Sequence, residues 1–223
     1  MSAPLQSAVF CDFDGTVARR DVGYSLFHHF SGGRNDALLP GWKAGRLSTR
    51  DCLLKEAEMV RAPAAEILAF LDHFDLDPTF APFVDHCRAL GVPVVIISEG
   101  LDIYIKRVLA RYGLADLPVI SNLGFLENGG LRIEFPHTNH RCTRCGSCKG
   151  ERIEEYRLAC DTPCRVAFVG DGYSDACAAR AADLLFAKDD LQQYCEAEKI
   201  PYNRFVDFRD VAKVLIHEGY LSF

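Results

Sequence analysis

The chain has no apolar run of transmembrane length. Nor does it open with a basic segment followed by a long apolar stretch, so no secretory leader is expected. It lacks an excess of basic residues as well: 25 Lys and Arg stand against 31 Asp and Glu, a formal net charge of -6. With a pI of about 5.6, that balance argues against nucleic acid or an anionic membrane as a main partner. It does not argue against a phosphate ester, which responds to local charge. Internal repeats and low-complexity segments are absent too. What is abundant is core: 49% of the 223 residues are hydrophobic, enough to exclude disorder and to make disulfides unnecessary. The ten cysteines therefore read as mostly free thiols in a reducing, cytoplasmic compartment. Cys11, Cys87 and Cys177 lie in apolar runs, where free Cys behaves as a small hydrophobe.

Short apolar runs at residues 8–11, 92–97, 119–121, 166–169 and 184–186 read as buried strands. Helical patterns at 103–112, 153–158 and 176–182 fall between them. This alternation predicts an α/β fold with a parallel sheet covered on both faces. Residues 18–80 break the rhythm, with helical stretches at 51–60 and 64–73 and punctuation at Gly32-Gly33 and Pro40-Gly41. They predict an all-helical insertion directly after the first strand's loop. Asn128-Gly129-Gly130, between two short apolar runs in 124–135, predicts a hairpin.

The first strand runs into Asp12-Phe13-Asp14-Gly15-Thr16. Two carboxylates two residues apart crowd their charges unless a cation shares them. A divalent cation shared by an Asp that also attacks phosphorus is one route to phosphoryl transfer. The bland alternative is a polar turn. Other strands end on polar residues too: Ser98-Glu99-Gly100 after the second, and Gly170-Asp171-Gly172-Tyr173-Ser174-Asp175 after the fourth. Lys149-Gly150 opens a helix between the third and fourth. A parallel sheet gathers these ends on one edge. Four acids, a hydroxyl and an amine around a cation suit a phosphate dianion.

In its order and residues, this four-part pattern resembles the haloacid dehalogenase superfamily of phosphatases, in particular the phosphoserine-phosphatase-like subclass. The resemblance spans the whole chain. It implies a Rossmann-like catalytic core made of residues 1–17 and 81–223, with residues 18–80 as a helical cap domain. It also implies a Mg2+-dependent phosphomonoesterase acting on a small phosphorylated metabolite. Asp12 would be the nucleophile, forming an aspartyl-phosphate, and Asp14 the general acid/base. Ser98, Lys149, Gly15 and Asn122 would contact the phosphoryl group. Asp12, Asp171 and the backbone carbonyl of Asp14 would hold Mg2+, with Asp175 supporting them.

The segment from Ser121-Asn122 through the hairpin to Cys142-x2-Cys145-x2-Cys148-Lys149 is similar to one branch. That branch contains the 2-hydroxy-3-keto-5-methylthiopentenyl-1-phosphate phosphatases of methionine salvage. Phosphoethanolamine/phosphocholine phosphatases are related, and phosphoserine is a further candidate substrate class. Asp21 and Glu99 are candidate substrate contacts. Asp21 reads equally as the N-cap of a helix beginning near Tyr24. Trp42, Lys43 and Arg46 are further candidates for substrate contact, with core or surface roles favoured, and His28-His29 read as ordinary helix residues. The cysteine cluster leaves three readings open. It is a structural zinc site built from Cys142, Cys145, Cys148 and His140, with His137, Cys160 or Cys164 as other partners; or a disulfide; or reduced thiols shaping the loop before Lys149. A non-catalytic zinc-stabilised interaction module is the reading of a different class.

Overall fold

The computed structural model describes residues 6–221. Residues 1–5 and 222–223 of the expected core range, and with them the start of the stretch read for a leader, lie outside the described residues. Among the described residues seven strands form one sheet: β1 (Gln6–Cys11), β2 (Val94–Leu101), β3 (Val119–Glu127), β4 (Gly130–Glu134), β5 (Cys164–Gly170), β6 (Leu184–Ala187) and β7 (Asn203–Arg204). Their order is β4-β3-β2-β1-β5-β6-β7. Every pairing is parallel except that of β3 with β4.

β1 lies at the centre, and Ala8, Val9, Phe10 and Cys11 are all fully buried. Successive residues serve opposite faces, which is why the strand is apolar from Ala8 to Cys11 instead of alternating, with polar Gln6 and Ser7 only at its less buried start. Val9 and Cys11 join the larger core beneath α5 (Phe80–Ala89), α6 (Asp102–Arg111) and α10 (Phe208–His217). Ala8 and Phe10 join the smaller core beneath α7 (Lys149–Ala159), α8 (Ala176–Ala181) and α9 (Asp189–Glu198). The carboxyl ends of β2, β1 and β5 thus stand side by side.

Between β1 and α5 the chain forms α1 (Val22–Ser31), a short 3-10 turn (Arg34–Leu38), α2 (Leu39–Lys43), α3 (Thr49–Met59) and α4 (Ala64–Leu71). Val22, Leu26, Leu53, Ala57, Ile67 and Leu71 make their apolar faces continuous with the larger core. The segment leaves and rejoins the sheet at one place. Ala18 bridges Leu76, Arg19 N donates to Asp75 O at 3.0 Å, and Asp77 N donates to Val17 O at 2.9 Å.

Two strand expectations change. The strand expected at 92–97 runs Val94–Leu101, continuing through Ser98-Glu99-Gly100 with a shift of register between Ile97 and Leu101. The strand at 119–121 and the first arm of the hairpin are one element, β3. It pairs with β2 at Val119, Ile120 and, past the shift, Asn122, and then with β4 from Leu123 to Glu127. Asn128 and Gly129, with φ of 52° and 70°, make the turn. Among the described residues no helix is long and apolar enough to cross a membrane.

Candidate active site

Asp12 follows β1 immediately, and its backbone N–H donates to Val169 O at 2.9 Å, fixing it beside the end of β5. The chain then coils tightly through Phe13–Val17, with Gly15 at φ 77°. A Cβ at Gly15 would lie 2.4 Å from Asp171 Oδ2, so only glycine lets the Asp171 carboxylate pass so near. Thr16 Oγ1 donates to Asp171 Oδ1 at 2.6 Å, locking the two loops together. Asp175 Oδ2 accepts from the backbone N–H of Asp171 at 3.0 Å and of Gly172 at 3.1 Å.

Lys149, at the start of α7 and 1% exposed, reaches into this group. Its Nζ lies 2.6 Å from Asp12 Oδ1 and 2.5 Å from Asp175 Oδ1. Burial alone would lower the lysine pKa, but the Asp12 and Asp175 charges outweigh it and the net direction is up. Burial pushes Asp12 well above the usual carboxylate range, Asp175 adds to the push, and Lys149 opposes it. Burial, with Asp175 next, raises Asp171 to about 7. Oxygens of Asp12, Asp171 and Asp175 lie within 4.8 Å of one another. Three crowded carboxylates against one ammonium leave an excess of negative charge on hard oxygen donors. That donor set fits a small divalent cation such as Mg2+.

The Asp14 side chain stands apart from this three-acid group. Its Oδ1 accepts from Val22 N at 2.8 Å and Gly23 N at 3.1 Å, capping α1, and its Oδ2 accepts from Tyr104 Oη at 2.6 Å. Only its backbone carbonyl remains as the metal contact expected from it. Burial raises the Asp14 pKa to about 7, the Asp21 charge adds to this, and the Tyr104 hydrogen bond opposes it. A carboxyl that holds its proton near neutrality suits proton transfer.

Ser98 is buried at the end of the straight part of β2, with its Oγ accepting from Gly100 N at 2.9 Å. Glu99 Oε2 accepts from Gly146 N at 3.1 Å, while its Oε1 is buried without a partner. Asn122 is fully buried and does not line the cavity. Its Nδ2 donates to Glu99 O at 2.5 Å, supporting the Ser98–Glu99 stretch from behind.

Above these groups lies a cavity of about 520 Å3. Asp12, Ser98, Lys149 and Asp171 form its floor; Phe27, Leu39, Trp42 and Leu53 from the helical segment form an apolar wall. Asp21, Lys43 and Glu56 supply charge on that side. Asp21 both lines the cavity and caps α1, with Oδ1 accepting from Tyr24 N at 2.7 Å. Trp42 and Lys43 therefore face the site, as candidate substrate contacts would, and not only as core or surface residues. Arg46 does not line it. Phe27, Leu39, Leu53, Glu56 and Tyr104 line the cavity without a role expected from sequence, and Thr16 gains a contact that its motif alone does not assign. Tyr104 sits among the apolar positions of α6, Glu56 is one acid in a charged helix, and Thr16 passes as the end of the first motif.

The cysteine cluster differs from its expected form. Sulfurs of Cys142, Cys145, Cys148 and Cys177 lie within 4.8 Å of one another. His140, His137, Cys160 and Cys164 are not in the group. His140 is held by its backbone, whose N–H donates to Glu151 Oε2 at 2.6 Å. Cys177, read as a small hydrophobe, is half-buried among the thiols instead, because α8 begins beside the start of α7. All ten cysteines are free.

Residues 9–180 match the family described as haloacid dehalogenase-like hydrolase. The chain belongs to that family. Among relatives of this haloacid dehalogenase-like hydrolase is the 2-hydroxy-3-keto-5-methylthiopentenyl-1-phosphate phosphatase of Brevibacillus brevis. The two are 30% identical over 211 residues, covering 93% of this chain and 94% of the relative. Pdp3-interacting factor 1 of Schizosaccharomyces pombe is 30% identical over 226 residues, covering 96% and 97%. A solved phosphoserine phosphatase carrying a phospho-aspartyl intermediate analogue superposes with a TM-score of 0.72 at 17% identity, covering 95% of this chain and 99% of that one. That likeness speaks to the fold. The hydrolase is a phosphatase, and the reading as a non-catalytic interaction module is set aside.

Proposed function

We propose that the chain is a Mg2+-dependent phosphomonoester hydrolase that works through an aspartyl-phosphate and takes a small phosphorylated metabolite. The observation that carries this is the cluster at the floor of the cavity, where Asp12 and Asp171 face the cavity, buried Asp175 lies close to both, and Lys149 Nζ touches Asp12. Asp12, Asp171 and the Asp14 carbonyl would hold Mg2+, and Asp175 fixes the loop of Asp171. When bound, the cation reduces the repulsion between Asp12 and a phosphate dianion.

An Asp12 oxygen attacks phosphorus as the bond from phosphorus to the ester oxygen breaks. Asp14 gives its proton to that leaving oxygen. Its carboxylate then takes a proton from water as the water attacks phosphorus, and the bond to Asp12 breaks to release inorganic phosphate. Lys149 and Ser98, both lining the cavity, would hold the phosphoryl oxygens. The two-part architecture supports a division of labour, with 1–17 and 81–223 carrying phosphate chemistry and 18–80 acting as a cap that selects the leaving group. The free thiols support a reducing, cytoplasmic setting.

For the substrate, the apolar wall of Phe27, Leu39, Trp42 and Leu53 supports 2-hydroxy-3-keto-5-methylthiopentenyl-1-phosphate, whose methylthio tail is apolar. The acids Asp21 and Glu56 in the same cavity favour an amine-bearing ester, such as phosphoserine, phosphoethanolamine or phosphocholine, as the second reading. A panel of these four esters plus a generic aryl phosphate ranks them by kcat/KM. The methylthio ester should lead, and a cationic ester in first place would reverse the substrate assignment. Asp12→Asn should abolish turnover of every ester while circular dichroism stays unchanged. A chelator should do the same, with recovery on Mg2+ and little on Ca2+. Undiminished hydrolysis in Asp12→Asn would sink the mechanism.

A further inference from the structure

The stretch between β4 and α7 is long and has almost no regular structure, yet it ends on the lysine at the centre of the site. Polar side chains fold it back on itself. The Glu151 carboxylate accepts from the backbone N–H groups of His140, Arg141 and Cys142 at 2.6, 3.0 and 2.7 Å. Asn139 Nδ2 donates to Cys145 O at 2.8 Å, and Asn139 Oδ1 accepts from Cys148 N at 2.9 Å. This winding turns three sulfurs inward, and α8 brings a fourth from beyond β5. Gly150 makes the approach close: a Cβ there would lie 2.5 Å from Cys177 O.

We infer that Cys142, Cys145, Cys148 and Cys177 bind one zinc ion as four thiolates, clamping the Lys149 loop to the helix that follows Asp175. A tetrahedral zinc with Zn–S bonds of about 2.3 Å keeps its sulfurs about 3.8 Å apart. Four sulfurs mutually within 4.8 Å need only a small contraction to reach that geometry. Disulfides would pair them two by two at bond distance, whereas all four are free and mutually close. Cys145 and Cys148 are 9% and 2% exposed, so the centre is largely shielded from water. Thiolate donors are soft and the neighbouring acid cluster is hard, so the two centres select different metals: zinc here, Mg2+ there. Each thiol gives up its proton to solvent as zinc binds, and no oxidant is needed.

The placement gives the ion a task in catalysis, a part of the inference that rests on the phosphatase reading. Cys148 directly precedes Lys149, and Cys177 lies two residues after Asp175. Zinc would therefore tie together both backbone segments that carry the Lys149–Asp175 ion pair. Gly146, inside the same loop, holds Glu99 at the cavity wall. These cysteines are positioning residues, and none of them touches the phosphoryl group.

Elemental analysis of the chain purified with a reductant and excess Mg2+ tests the site without reference to turnover. One zinc per chain is expected. Cys177→Ser should lose it, while His140→Ala and Asp171→Asn should keep it. Wild-type protein that takes up no zinc on reconstitution overturns the site, as does full zinc retention in Cys177→Ser. Zinc loss in His140→Ala would overturn the four-thiolate set. Should Cys177→Ser fail to fold, cobalt reconstitution of the wild-type chain decides. Strong thiolate-to-cobalt charge-transfer bands support four sulfur ligands, and their absence refutes them. For the positioning role, zinc-stripped protein should lose at least about tenfold in kcat that zinc restores and Mg2+ alone does not. Full activity in the stripped protein would overturn that role and leave the phosphatase reading intact.

Discussion

Replacing Glu56 by Gln should stabilise the protein at alkaline pH and do nothing to it in acid. Glu56 is only 6% exposed, and its main partner is Asn35 Nδ2 at 3.4 Å, a long contact that compensates little of the lost hydration. Burial raises its pKa from 4.5 to about 7; the Asn35 hydrogen bond opposes this and the Asp21 charge adds to it. A folded-state pKa above the unfolded value means that the folded chain binds the extra proton. Its favourable contribution is complete below about pH 4.5, is lost as pH rises through the window, and is gone above about pH 7. At about 1.4 kcal/mol per pH unit, the gap corresponds to a cost of roughly 3 kcal/mol above pH 7, an upper figure because water entering the cavity screens the charge. Glutamine carries no such cost. Urea unfolding of both proteins between about pH 4 and pH 8, followed by fluorescence of the single tryptophan, measures the difference. It should grow from near zero to 1–3 kcal/mol, roughly, with most of the rise between pH 5 and 7. A difference that is flat with pH, or a less stable variant at pH 8, would refute the reasoning.

Tyr104 and Asp21 act on Asp14 in opposite directions, so their removal should move the pH–rate profile in opposite directions. Tyr104→Phe deletes the hydrogen bond that lowers the Asp14 pKa. The proton-donating form then persists to higher pH, and the alkaline limb of kcat should shift upward. Asp21→Ala removes a like charge, and that limb should shift downward; identical limbs in both variants would contradict the role of Asp14. The same Asp21→Ala variant should reorder the ester panel, whereas a common factor on every ester would place Asp21 outside substrate choice. Gly15→Ala puts a Cβ 2.4 Å from Asp171 Oδ2 at a φ of 77°. It should lower stability by about 1–3 kcal/mol in thermal unfolding and raise the Mg2+ concentration needed for half activity; wild-type Mg2+ dependence would contradict the close-packing argument.

The parts of the site visible in the sequence were those with a local signature. Asp12, Lys149 and Asp171 each follow a strand end or open a helix, and a parallel sheet has only one place to gather such residues. The fold class follows from the same alternation, and the central strand is legible because burial on both faces leaves no polar position from Ala8 to Cys11. Other features depend on distant packing. Tyr104 looks like one more apolar contact on α6 until the coil after β1 delivers Asp14 to its hydroxyl. Cys177 sits in a small-residue helix, and only the closeness of α7 and α8 makes it a neighbour of the Cys142–Cys148 loop. In the sequence the first arm of the hairpin is separate from the third strand, because Ser121-Asn122 interrupts the apolar run. The structure carries the strand through them, since Asn122 is buried against the Glu99 backbone.

The pairing of Ala18 with Leu76 has a bearing on how such a protein can change. Entry and exit of the helical segment lie side by side, so from the sheet's standpoint the whole excursion is a loop with fixed ends. Its length and sequence can drift, or be transplanted from a relative, without altering the spacing of Asp12, Lys149 and Asp171. On the proposed division of labour, phosphate hydrolysis and ligand choice would then evolve at separate rates. A chimaera joined between 18 and 76 is the natural unit for exchanging one specificity for another, provided the incoming segment brings its own apolar face for the sheet's larger core and an N-terminal turn that Asp14 can cap.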